Sequence, residues 1–109
     1  MMYVDFHAGD KDYKLRLNTR AVVALEKQLG CNPLGIFGDG ESIPTVTTMV
    51  TVLHASLQAL HHGIGINDAY DIFDAWLEDG NASVDFVHVI LELYKVSGIV
   101  PKEVNAEKN

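Results

Sequence analysis

The chain reads as an α+β domain, mainly helical, with an N-terminal β-hairpin followed by four helices in the order ββαααα. Three observations predict this. Tyr3 to His7 and Tyr13 to Leu17 alternate apolar and polar residues with a period of two, on either side of the polar stretch Ala8 to Asp12. From Thr19 onward, apolar residues recur at helical spacing in blocks separated by glycine or proline. A length of 109 residues suffices for one modest core and not for two, so residues 1–101 are expected to form one domain, with 102–109 as a mobile polar tail.

A two-stranded hairpin is marginal in water, so it must lay its apolar face on the helices or pair with another chain. Its outer edges are candidate docking rails, although Lys11, Lys14 and Arg16 also supply charges of the kind that blunt an edge. The first helix is expected from Thr19 to Leu29. Asn18 or Thr19 caps its start, Val22, Leu25 and Leu29 form its stripe, and Gly30 ends it. Asn32 to Phe37 reads as a short helical turn whose Leu34, Ile36 and Phe37 plug the core. Gly38 to Ser42 reads as a loop.

The second helix, about Pro44 to His62, lies in a run of 26 residues, Ser42 to Asn67, without Asp, Glu, Lys or Arg. Surface helices carry a charged face, so this one is either central or covered by another subunit. Val46, Met49, Val50, Leu53, Leu57 and Leu60 form its stripe and are the candidate partner-binding residues. Its threonines, Ser56 and Gln58 make it too polar for a membrane span. A third helix runs from Asn67 to about Asp79. Ala69, Ile72, Phe73, Trp76 and Leu77 face inward, Asp68, Asp71, Asp74 and Glu78 face outward, and Gly80 stops it. The fourth follows Ser83, with Asp85 in its first turn and Phe86, Val87, Ile90, Leu93 and Tyr94 on its apolar face.

Fifteen acids against eight Lys and Arg give a net charge of -7, which repels phosphate backbones and speaks against nucleic-acid binding. The single cysteine, Cys31, excludes an internal disulfide and reads as a small buried thiol. No apolar segment of signal-peptide length opens the sequence. Five histidines raise the question of zinc, but His54 and His61 are seven apart and no acid lies on their helix. His61 and His62 are expected to cap the helix end, and His88 to be half-buried. Asp71, Asp74 and Glu78 lack the spacing of a calcium loop, and Gly35, Gly38 and Gly40 open onto no phosphate-loop lysine. No catalytic residues, metal or cofactor are expected.

The succession LRLNTRAVVALEKQLG, NPLGIF, LQALHHGI, DAYDIFDAWLEDG and ILELYKVSGIVP resembles tail assembly chaperones from phages and prophages of Gram-positive bacteria. The likeness spans nearly the whole chain and lies in the order and spacing of the pieces. The charge-free approach to the central helix departs from the more acidic one in that family. The resemblance implies a non-enzymatic protein of the host bacterial cytoplasm. It would bind the tape-measure protein, recruit tail-tube subunits, form a homo-oligomer and be absent from the mature virion. It implies neither nucleic acid nor membrane as a partner. Such chaperones are often made in two lengths by a −1 ribosomal slip. Glu107, Lys108 and Asn109 can be encoded GAA-AAA-AAC, which contains a slippery heptamer. The alternative is a small oligomeric adaptor, or a regulatory, DNA-binding helical protein, of phage or prophage origin.

Overall fold

The computed structural model of the chain describes residues 2–38 and 43–101. Strands β1 (Val4–Ala8) and β2 (Lys11–Leu15) pair antiparallel from Val4↔Leu15 to Ala8↔Lys11. The turn is Gly9-Asp10 alone, tighter than the Ala8 to Asp12 stretch expected, because Gly9 takes φ +66°. A glycine with positive φ at the first loop position matches the right-handed twist of the strands it joins. Asp79 Oδ2 accepts the Gly9 N–H at 2.8 Å and ties the hairpin tip to the helical layer.

Four α-helices follow: α1 (Thr19–Leu29), α2 (Val46–Leu57), α3 (Ile66–Glu78) and α4 (Phe86–Val96), with 3₁₀ turns at Pro33–Phe37 and Ser83–Asp85. The architecture is therefore α+β, hairpin first. Asn18 caps α1, its Oδ1 accepting from Ala21 N–H at 2.9 Å, and Gly30 closes it at φ 75°. Asn32 Oδ1 accepts from the N–H groups of Leu34 and Gly35 and so starts the next turn. That turn is 3₁₀, which puts Pro33 and Ile36 on one face. Pro33 is buried and Ile36 and Phe37 pack on the core, whereas Leu34 points to solvent at 45% exposure, contrary to expectation.

Thr45 Oγ1 caps α2 by accepting the Thr48 N–H at 3.1 Å. The helix ends at Leu57, short of the expected His62. Gln58 explains the stop: its side-chain amide donates to the carbonyls of His54 at 3.0 Å and Ile64 at 2.8 Å, folding the chain back on the last turn. Asp68 starts α3 by accepting the Gly65 N–H at 2.9 Å. Gly80, at φ +107°, ends it, and the Asn81 side-chain amide donates to the Trp76 carbonyl at 2.8 Å. The chain makes its 3₁₀ turn at Ser83–Asp85 before α4 begins at Phe86, so Asp85 stands just ahead of α4, where its Oδ2 accepts the Ala82 N–H at 2.9 Å. At the far end, Gly98 N–H donates to Lys95 O at 3.2 Å and Ile99 N–H to Tyr94 O at 2.9 Å, the paired bonds of a Schellman stop.

The core lies between the inner face of the hairpin (Phe6, Ala8, Leu15) and the helices. Phe6, Phe73, Trp76 and Phe86 form an aromatic cluster with ring centroids 5.4–5.9 Å apart. Such pairs add about 0.5–1.5 kcal/mol each beyond the area they bury. Among the described residues no helix is long and apolar enough to cross a membrane. Residues 39–42, within the loop expected from Gly38 to Ser42, and residues 102–109, with the expected tail and Glu107, Lys108 and Asn109, lie outside the described residues.

Candidate partner-binding surface

The stripe read from sequence as the partner face serves the chain's own core. Met49, Val50, Leu53 and Leu57 are at most 3% exposed. Leu60 is half-buried beyond the end of α2, and of the six only Val46 stands out, at 50% exposure. The reason is topological. Helix α2 is packed by α1, α3, α4 and β2, so a charge on most of its faces would lose its hydration without gaining a partner. That enclosure accounts for the absence of charge along α2 itself, and it removes four of the six candidates from any outside contact in this fold.

The open concavity lies on the remaining side of α2. One wall runs the length of α1, from its cap Asn18 and Arg20 to Gln28 in the last turn. The other comes from the end of α2 and the turn after it, with His54, Gln58 and His62. Ala21 and Ala24 from α1 meet Ala55 and Ala59 along it. The cavity holds about 620 Å³. Small residues at helical spacing on two facing walls keep it open, since larger side chains would close the helices over it. His54 Nδ1 lies inside the protein surface and has no hydrogen-bond partner among the described residues. A buried polar atom left unpaired costs about 1–3 kcal/mol. The sequence reading assigns no part in a groove to Arg20, Ala24, Gln28, Ala55 or Ala59. The legible signal was the alanine spacing at i, i+3 on α1 and i, i+4 across the end of α2.

The other histidines do different work. His61 does not cap α2. Its Nε2 accepts the Lys14 N–H at 2.9 Å, and its ring meets Tyr13 edge-on at 5.5 Å. His7 Nδ1 bonds Asp12 Oδ1 at 2.7 Å, and this hydrogen bond raises the His7 pKa above its ordinary 6.5, with the charges of Asp12 and Asp79 acting in the same direction. His88 is exposed rather than half-buried. Cys31 is exposed too, not a core thiol, because it follows Gly30 on the outer side of the turn. Gly35 lies against it: a Cβ there would come within 2.9 Å of Cys31 Sγ. Among the described residues no three His, Cys, Asp or Glu side chains gather as a metal site. Asp71, Asp74 and Glu78 line the solvent face of α3.

A family model, described as a family of unknown function (DUF6096), matches residues 4–109. The chain belongs to DUF6096. The match begins at the first residue of β1 and runs through the hairpin, all four helices and both walls of the groove. No curated protein and no solved structure matches the chain.

Proposed function

We propose that this DUF6096 protein is a non-enzymatic chaperone of phage tail assembly, acting in the cytoplasm of a bacterial host. In this reading it binds the tape-measure protein, recruits tail-tube subunits and leaves before the virion is complete. The observation that carries the reading is the groove between α1 and α2, small-floored and open. A tape-measure protein is a long helix that exposes an apolar stripe until the tube surrounds it. Helix-in-groove docking suits such a client: alanines let a helix backbone approach, and amides and imidazoles at the rim meet its polar flanks. Two of the ordered motifs support the same reading: LRLNTRAVVALEKQLG supplies Asn18, Arg20, Ala21, Ala24 and Gln28 on one wall, and LQALHHGI supplies Gln58, Ala59 and His62 on the other. A net charge of -7 keeps a densely coated client soluble and opposes nucleic-acid binding.

Co-expression with a tape-measure fragment tests this. The expected result is a soluble complex that co-elutes on gel filtration. An insoluble fragment beside free protein would overturn it, and salt-dependent retention on DNA would favour the regulatory alternative.

A further inference from the structure

The two edges of the hairpin are not equivalent. A two-residue hairpin closed at Ala8↔Lys11 makes that pair hydrogen-bonded, and the alternation then carries to Phe6↔Tyr13 and Val4↔Leu15. The main-chain groups of the intervening residues point away from the hairpin: Lys14 and Asp12 on β2, Asp5 and His7 on β1. On the β2 side the protein occupies its own edge at Lys14 and Arg16. Lys14 N–H donates to His61 Nε2 at 2.9 Å, and Arg16 N–H, one step further along, donates to the Ser56 carbonyl at 2.9 Å. On the β1 side, the main-chain groups of Asp5 and His7 have no partner among the described residues, and both residues are exposed. An open edge of this kind accepts another strand.

We infer that β1 pairs antiparallel with β1 of a second copy of this chain, about a two-fold axis at Phe6, joining two hairpins into one four-stranded sheet. Charge complementarity selects both the occupant and the register. Only residues with outward main-chain groups exchange hydrogen bonds across the new seam, so Asp5 must face Asp5, His7 or Tyr3 of the second copy. The axis at Phe6 sets Asp5 opposite His7 and His7 opposite Asp5, two favourable pairs, whereas axes at Asp5 or His7 set like residues against each other. Within each hairpin, Asp12 already bonds His7 at 2.7 Å and Lys14 Nζ lies 3.6 Å from Asp5. The joined sheet therefore carries Asp12, His7, Asp5 and Lys14 side by side across four strands, with acid and base alternating throughout. The inner face is undisturbed, because Phe6 stays stacked on Trp76. This inference stands on strand geometry and charge and holds whatever client the protein serves.

Analytical ultracentrifugation of the whole protein over a concentration series tests it. Wild type is expected to dimerise, and Asp5→Pro to be monomeric with an unchanged circular dichroism spectrum, since proline there removes an N–H the hairpin does not use. A second measurement guards against misfolding of that variant. In a Cys31→Ser background, Asp5→Cys protein mixed with His7→Cys protein should form a disulfide-linked heterodimer in excess over either homodimer. A monomeric wild type, an Asp5→Pro dimer, or homodimer crosslinks in excess would each overturn the pairing. Loss of client binding by Asp5→Pro in a protein that is monomeric when alone would assign the edge to the client instead.

Discussion

Tyr94 shows how one side chain joins distant parts of the chain. It is fully buried on α4, and its hydroxyl donates to the Pro33 carbonyl at 2.8 Å, pinning the 3₁₀ turn to the last helix. Tyr94→Phe keeps the ring and strands that carbonyl, so thermal or urea melts should show a loss of about 1–3 kcal/mol. Burial also pushes the hydroxyl pKa well above its ordinary 10.0, with the Cys31 charge adding to it. The unfolded chain therefore ionises first, and stability should fall as pH climbs past 10.0, more steeply in wild type than in Tyr94→Phe. His7 works the other way. Its raised pKa means the folded chain binds the proton more tightly, so its contribution is complete below pH 6.5 and disappears as pH rises through the folded value. Melting temperature followed across that window should decline in wild type and stay flatter in Asp12→Asn.

At the scale of elements, local chemistry sets where each one begins. Asn18→Ala should cost about 1 kcal/mol in a denaturant melt, because the Ala21 N–H loses its acceptor. Trp76→Ala should cost about 3–5 kcal/mol, because the indole touches three other rings of the aromatic cluster. These features were legible in the sequence. The bounds of α1 follow from Asn18 and Gly30, and the buried faces of α3 and α4 follow from their spacing. The end of α2 was not legible, since nothing in QALHHG announces that Gln58 will turn back onto two carbonyls. His61 was misread for a related reason: its partner, the Lys14 N–H, lies 47 positions away in sequence. Long-range hydrogen bonds leave no local trace.

For the molecule as a whole, the charge-free middle helix is the lesson. Sequence alone left two readings of it, an enclosed rod or a surface covered by a partner. The packing of α1, α3, α4 and β2 around α2 decides for enclosure. The groove could not be seen from one helix, because its walls come from α1 and from the end of α2, and its floor of alanines carries meaning only once those walls face each other. The proposed role of the groove in holding a helical client can be measured directly. Ala24 is exposed on the groove wall, so Ala24→Arg should leave the fold and the melting temperature intact while filling the cleft. Isothermal titration of a tape-measure helix peptide should give saturable binding to wild type and at least about a tenfold weaker affinity for Ala24→Arg, roughly 1.4 kcal/mol. Equal affinity for the two proteins, or no binding to wild type, would contradict the account.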